Sequence, residues 1–422
     1  MSLKRPRLVY LCADRGIPLG GVKGASVHVG EFLHALREEG FDVHTVAARY
    51  APDTDFGPTY SSLAPRDESL APFFDAALLQ QGDRRTLREA RDLLLNSCVT
   101  SELASLHNVR PTGLIYERYS LFGMAGRAFA ARHGIPYILE VNAPLVREAA
   151  DFRELGAREL AEQIARYLFS TADHVVAVSR TVAEYVQSLA PEARVTVIPN
   201  GVDSRRFQPH PATARARPRP EKGDFVVGFV GSARPWHGLE HLLDAFSLLA
   251  RSGGESRLRI VGDTGALDLK LRQQCAGLGL DDRVEFTGAV PFDAIPQELA
   301  SFDVAVAPYP PLEDFYYSPL KIFEYMAAGL PIVASAIGQI CEVLEHDRTA
   351  LLVPPGDREA LVEALVRLKQ DAALRQRLGE AAREEAVTRH SWQARLATLK
   401  TIVAELLERT PLHTGATRAA QV

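Results

Sequence analysis

The sequence predicts an α/β protein built of two doubly wound, parallel-sheet domains. Three observations lead there. First, one pattern occurs twice. Residues 7–48 read as an apolar strand, RLVYLCA, a glycine-bearing loop, a helix, SVHVGEFLHALREEG, and a second strand, FDVHTVAA. Residues 225–262 repeat that order with FVVGFVG, a short loop, HGLEHLLDAFSLLARSGG and RLRIVG. Each copy is the opening βαβ unit of a parallel sheet. Second, a chain of 422 residues is too long for a single core and suits two domains of roughly 200 residues each. Third, the segment 204–223, SRRFQPHPATARARPRPEKG, is rich in Pro and Arg and separates the two copies as a linker.

The elements follow in order. In the first helix Val29, Phe32, Leu33 and Leu36 recur at helical spacing, and Gly40 marks its end. Residues 84–107 form a second, Arg- and Leu-rich helical stretch. GLIYERY, IPYILEVN, HVVAVS and VTVIPN then read as strands. In the second half Leu239, Leu242, Leu243, Phe246 and Leu249 make one helical face, and VEFTG, FDVAVAPY, LPIVAS and ALLVPP read as strands. The tail 357–409 is helical, with Asp357 as an N-cap, and the last dozen residues, PLHTGATRAAQV, are a frayed end. The predicted domains are 1–203 and 224–389, joined by the linker 204–223. The repeat is a whole domain, so a solenoid is excluded. Ligands of such sheets bind at the carboxyl ends of the strands, and two such domains place the site in the cleft between them.

Composition narrows the function. Hydrophobic residues make up 46% and charged residues 24%, as in an ordinary soluble protein. The 48 basic and 53 acidic residues give a net charge of −5, which argues against a general nucleic-acid surface. Cys12, Cys98, Cys275 and Cys341 are scattered, which suits reduced thiols in the cytoplasm better than a disulfide frame or a zinc site. The opening MSLKRPRLVYLCAD turns polar at Asp14 and reads as a first strand, not a signal peptide. No apolar run approaches the roughly 18 residues of a membrane span. Neither a G-x-G-x-x-G in a strand–turn–helix setting nor a G-x-x-x-x-G-K-[ST] occurs, so NAD and P-loop ATP chemistry lose their fingerprints.

Several short stretches carry candidate chemistry. In SPLKIFEYMAAG, Ser318 is a good N-cap and Pro319 fits the first helical position. The first-turn amides and the helix dipole there favour an anion, and Lys321 is unfavourable at that positive end without one. Glu324, a turn on, is placed to accept hydrogen bonds from ribose or sugar hydroxyls. The plainer reading is a capped helix with Lys321 and Glu324 in solvent. In VGSARPWHG, a loop after a strand meets a helix start, where Arg234 and His237 add charge or donors and Trp236 stacks or packs. Taken alone, His237 reads as a surface histidine. In PLGGVKGASVHV, Gly20, Gly21 and Gly24 let backbone approach a ligand beside Lys23. Glu117 and Arg118 end one strand, and Glu140, Asn142 and Arg147 end the next. Asp53-Thr54-Asp55 looks like a D-x-D pair, but nothing nearby completes a coordination set, so no metal site is expected.

In their order and spacing, GGVKGASVHVGEFLHAL, ADHVVAVS, VIPNGVDSRRF, VGSARPWHG, VEFTGAV, SPLKIFEYMAAGLPIVAS and LLVPPGD make the chain resemble the family 4 retaining glycosyltransferases of the GT-B fold. The resemblance implies a nucleoside-diphosphate sugar on the C-terminal domain and an acceptor on the N-terminal one. It also implies a helix at about 390–410, after His390-Ser391-Trp392, that returns to the first domain, and no required metal or other obligatory cofactor. Glu324 resembles the second glutamate of the family's E-x7-E motif, which holds the ribose. Tyr316 stands at the first, so backbone around Tyr317, Ser318, Pro319 and Leu320 is expected to grip the sugar. Ser232 and His237 stand where the family often has an Arg and a Lys on the phosphates, and Arg234 and Lys321 are expected to restore that charge. Gly262 and Val290 are expected on the donor side. No His follows the fourth strand; Glu117 and Arg118, which lie in that neighbourhood, are expected with Glu324, Arg234 and Lys321 among the catalytic residues, and Glu140, Asn142 and Arg147 on the acceptor side. The implied function is retaining transfer of a hexosyl-type sugar, from a UDP-sugar foremost, to a hydroxyl or amine of a glycan, lipid-linked or small-molecule acceptor. The implied location is cytoplasmic, with peripheral membrane contact through the basic N-terminus and linker. The alternatives are a non-catalytic sugar-nucleotide sensor or scaffold, and another GT-B enzyme such as an epimerase.

Overall fold

The computed structural model describes residues 6–52, 59–63, 84–152, 154–209, 224–253 and 255–409. The D-x-D pair at Asp53 and Asp55, most of the linker, the basic N-terminus and the terminal dozen residues lie outside them. The chain packs as two compact units. Among the described residues the first comprises 6–21, 32–198 and 396–409, and the second comprises Val22–Glu31 and the described part of Pro199–Arg395.

The first unit is a seven-stranded sheet. Its strands are β1 (Arg7–Cys12), β2 (Asp42–Ala47), β3 (Tyr60–Ser62), β4 (Thr112–Arg118), β5 (Tyr137–Val141), β6 (His174–Ala177) and β7 (Val195–Val197), in the order β3-β2-β1-β4-β5-β6-β7. Every neighbouring pair is parallel; β1 and β2, for example, run in register from Arg7 opposite Asp42 to Cys12 opposite Ala47. Parallel sheets are covered on both faces, so their strands are near-continuous apolar runs. β1, β4 and β5 are buried at every residue. Its helices include α1 (Gly24–Glu38), of which the residues from Phe32 on belong to this unit, α2 (Arg84–Val109), α3 (Ala125–His133), α4 (Leu145–Phe152), α5 (Arg158–Thr171) and α6 (Arg180–Leu189). Val29, Leu33 and Leu36 of α1 are buried, as their spacing predicts. Gly40 takes φ +78° just past α1, where the Phe41 amide donates to the Leu36 carbonyl at 3.0 Å. That left-handed turn suits glycine. The three-residue edge strand β3 is absent from the sequence reading; it is too short to show a period.

The second unit has six parallel strands: β8 (Phe225–Val230), β9 (Ser256–Val261), β10 (Val284–Phe286), β11 (Val304–Ala307), β12 (Ile332–Ser335) and β13 (Leu351–Val353), in the order β10-β9-β8-β11-β12-β13. Its helices include α7 (Leu239–Arg251), α8 (Asp268–Leu278), α9 (Ile295–Leu299), α10 (Leu320–Ala327), α11 (Ile340–Val343), α12 (Arg358–Gln370) and α13 (Ala372–Glu385). A last helix, α14 (Trp392–Arg409), begins in this unit, and its residues from 396 on belong to the first. One apolar layer joins α7 and α12 to the sheet through Leu242, Phe246, Leu361 and Leu365. The other joins α10 through Ile322, Phe323 and Met326. Burying each such side chain contributes about 1.5–3 kcal/mol. In both sheets the strand order reverses beside the first strand, between β1 and β4 and between β8 and β11. The carboxyl ends at such reversals are where doubly wound sheets open a crevice for ligands.

Asp357 caps α12, its carboxylate accepting from the Ala360 amide at 2.9 Å. Asp357→Ala removes that acceptor and is expected to cost about 1 kcal/mol. A denaturant titration reads this as a lower midpoint at unchanged slope, with Asp357→Asn near wild type.

Candidate active site

In the second unit the reversal point is floored by two glycines. Gly231, just after β8, has φ +139°, and its amide donates to the Val261 carbonyl at 2.8 Å. Gly262, just after β9, has φ +137°, and its amide donates to the Gly288 carbonyl at 3.1 Å. A Cβ at Gly262 would lie 2.4 Å from the Gly231 carbonyl oxygen. Only glycine permits both the backbone angle and this approach.

The loop after β8 closes in a short 3-10 turn, Pro235–His237, before α7. His237 Nδ1 lies 2.6 Å from the Ser232 carbonyl. A carbonyl only accepts, so Nδ1 carries the proton and Nε2 is bare. Burial, with the charge of Lys321, pushes this imidazole down to about 2. His237 is thus a neutral, half-buried member of the loop.

Helix α10 starts one residue later than its sequence suggests. Pro319 occupies the N-cap position with φ −73° and ψ 111°, and no side chain caps the helix. Ser318 is not the cap. Its Oγ accepts from the Asn200 amide at 3.1 Å, and its carbonyl accepts from Asn200 Nδ2 at 2.6 Å. The hydroxyl is engaged elsewhere, which leaves the first-turn amides of α10 without a side-chain cap. Asn200 is a residue that sequence reasoning missed, although it stands in VIPNGVD.

Lys321 is buried. Its Nζ has no hydrogen-bond partner among the described residues. It lies 4.0 Å from the Phe229 ring centre and 5.6 Å from that of Tyr309. A Cβ built on Gly231 would come within 2.9 Å of it, so the ammonium lies directly against the glycine floor. Burial drives Lys321 down to about 7, only partly offset by Glu324. Burial likewise drives Glu324 up to about 7, with Lys321 opposing and Glu31 adding to the rise. Lys321 and Glu324 sit three apart on α10 and share one face. The solvated reading of these two residues therefore fails.

The other candidates distribute as follows. Ser232 and Arg234 are exposed on the loop after β8. The Trp236 and Tyr317 rings lie nearly parallel, 6.3 Å apart at 8°. Tyr316 is buried, its ring 4.3 Å from that of Tyr317. Val290 is half-buried against the core that holds α10. Leu320 and Pro319 are half-buried. Lys23 and Gly24 are exposed at the start of α1; Gly20 has φ +78°, and the Gly21 amide turns back to the Pro18 carbonyl.

In the first unit Glu117 and Arg118 do not act together. Successive strand residues point to opposite faces. Arg118 pairs with Glu140 at 3.5 Å, and the Tyr10 hydroxyl donates to the same carboxylate. Glu117 instead accepts from the Tyr137 hydroxyl at 2.7 Å and borders a recess with Asp92 and Ser120. Asn142 is half-buried with Oδ1 unpartnered among the described residues. Arg147 lies on α4, not at a strand end, with its guanidinium 5.3 Å from the Tyr185 ring centre. Among the described residues no group of three or more His, Cys, Asp or Glu is placed to hold a metal ion, and no helix is long and apolar enough to cross a membrane.

Comparison with known proteins matches this geometry to a family. Residues 22–206 match the model of Glycosyltransferase Family 4, and residues 224–371 match that of Glycosyl transferases group 1. A D-inositol 3-phosphate glycosyltransferase of Corynebacterium glutamicum is 30% identical over 68% of this chain and 71% of its own length. The chain belongs to the family 4 glycosyltransferases. This family 4 glycosyltransferase is also 32% identical to a GDP-mannose-dependent alpha-(1-6)-phosphatidylinositol monomannoside mannosyltransferase of Mycolicibacterium smegmatis, over 57% of the chain and 64% of the relative's length. It therefore spans just under two thirds of that relative. The structure of Anabaena HepE in complex with UDP and glucose superposes with a TM-score of 0.69 at 20% identity, covering 95% of this chain and all of that one. The fold is GT-B.

A buried ammonium without a hydrogen-bond partner costs the empty protein its desolvation, a cost that an apolar side chain of similar volume does not carry. Lys321→Met is therefore expected to raise the unfolding midpoint of the unliganded chain. The gain is full below pH 7, where Lys321 is charged folded and unfolded alike. It shrinks between pH 7 and the ordinary lysine value of 10.5, where the folded state has already shed its proton. Thermal melts across that range check both the sign and the window.

Proposed function

We propose that the chain is a retaining glycosyltransferase. It takes a hexosyl-type sugar from a nucleoside-diphosphate sugar, a UDP-sugar foremost, to a hydroxyl or amine of a glycan, lipid-linked or small-molecule acceptor. One observation carries this reading: Lys321 Nζ is buried without a partner against Gly231, at the carboxyl end of β8. An ammonium held this way asks for an anion, and the uncapped first-turn amides of α10 ask for the same one. A diphosphate meets both demands.

The hard step is departure of the diphosphate as C1 becomes oxocarbenium-like. Lys321 and the α10 amides are fixed in place before the reaction, so they stabilise the developing charge without reorganising; losing one such donor costs about 3 kcal/mol in the transition state. Arg234, exposed on the same loop, adds long-range positive charge. Glu324 holds the ribose in this reading. The leaving phosphate takes the acceptor's proton, so no strong base is required of Glu117 or Arg118, and Glu140, Asn142 and Arg147 serve the acceptor side. No metal takes part. HepE, solved with UDP and glucose, supports the uridine assignment, and the GDP-mannose-dependent relative names its competitor.

Calorimetry against UDP, GDP, ADP and dTDP tests the reading. One diphosphate is expected to bind, and Lys321→Met to weaken it at least tenfold, with Glu324→Ala weakening the nucleoside but not inorganic pyrophosphate. The bound anion retains the Lys321 proton, so affinity falls as pH rises above 7 in the wild type, and less steeply in Lys321→Met, where Glu324 alone of the two still titrates. Equal binding by Lys321→Met sinks the placement. Binding with neither transfer nor hydrolysis of any sugar nucleotide favours the sensor. The anomeric configuration of the product, read by NMR, decides retention.

A further inference from the structure

A second cluster of unusual groups lies in the first unit, at the reversal point between β1 and β4. It is a recess that opens to solvent and encloses room for about one water-sized group, bordered by Asp92, Asn96, Glu117, Ser120 and Gly123. Glu117 and Ser120 are buried to better than nine tenths. The Ser120 hydroxyl has no partner among the described residues. A Cβ built on Gly123 would meet Ser120 Oγ at 2.4 Å and Glu117 Oε1 at 3.6 Å, so both oxygens border the same space, which the glycine leaves open. Tyr137 occupies the other carboxylate oxygen of Glu117. Asn96 is already committed: its Oδ1 accepts from the Met124 and Ala125 amides at the start of α3.

The ionisable side chains that line the recess are both acidic. Burial pushes Glu117 up to about 7, and the Tyr137 hydroxyl only moderates it. Burial pushes Asp92 up to about 6, with Arg15 and Arg88 opposing the rise and Asp14 and Glu89 adding to it. Leu95, Val99 and Ala125 supply apolar wall.

We propose that this recess binds a primary ammonium group, the open Glu117 carboxylate oxygen and the Ser120 hydroxyl accepting its N–H bonds, with Asp92 also on the lining. An ammonium has three donors and no acceptor, which suits a space bordered by acceptors. The apolar wall suits the carbon that bears it. Assigning the ammonium to the acceptor rests on the transferase reading; the binding itself does not.

Thermal melts of the full chain, just above neutral pH and at matched ionic strength, test this. Ammonium and methylammonium chloride are expected to raise the midpoint above sodium and potassium chloride, and tetramethylammonium, which has no N–H, is not. Glucosamine exceeding glucose identifies an amine-bearing acceptor; a response to ammonium alone identifies free ammonium. The shift is expected to vanish below pH 6, as both carboxyls take up protons. Gly123→Ala, whose methyl fills the recess and crowds Ser120 Oγ, is expected to abolish it, and Ser120→Ala to weaken it. Equal midpoints in all salts, a potassium effect as large as that of ammonium, or a shift that survives Gly123→Ala overturns the proposal. Failure of sugar transfer with an intact ammonium response leaves this site standing and removes only the transferase reading.

Discussion

The site of the second unit is arranged around one buried lysine, Lys321, whose Nζ has no hydrogen-bond partner among the described residues. Lys321 reaches the glycine floor because α10 starts uncapped at Leu320 and points its first turn at the carboxyl end of β8. The surroundings give that ammonium no hydrogen-bond partner, and burial lowers its pKa to about 7. Phe229 and Tyr309 offer ring faces, His237 is held neutral, and the glycine at 231 leaves space where any side chain would displace the ammonium. Such an arrangement spends stability on a site, and the cost is recovered only when an anion arrives.

Much of this fold was legible because parallel sheets advertise themselves. Both βαβ openings, both helical faces and the Asp357 cap follow from periodicity and from single residues with strong local preferences. Membership of the family was legible for a different reason: seven short stretches in a fixed order constrain far more than any one of them. Less legible was anything decided by a long-range partner. Ser318-Pro319 reads as a cap and a first turn, yet Asn200, 118 residues earlier, takes the serine hydroxyl and delays the helix. No local rule announces such a bond. Lys321 and Glu324 read as well exposed as buried, since an eight-residue helix is too short to show which face packs.

Strand parity accounts for the division of the first-unit candidates. Glu117 and Arg118 are neighbours in sequence and were grouped for that reason. The pleat sends Arg118 to Glu140 and Tyr10, and Glu117 to the side of Asp92 and Ser120. One neighbourhood thus becomes two environments, a paired charge on one face and an acidic recess on the other. Asp92 and Ser120 gave no signal in the sequence; their interest comes from sharing a small space.

The assignment of residues 396–409 of α14 to the first unit has a consequence in time. Lys400 contacts Glu39 across 361 positions. During synthesis the first unit therefore lacks part of its packing until nearly the whole chain has emerged, while most of the second can close on its own residues. Order of translation and order of completion are reversed, so the earliest-made sheet is the one that waits, dependent on whatever shields it from aggregation meanwhile.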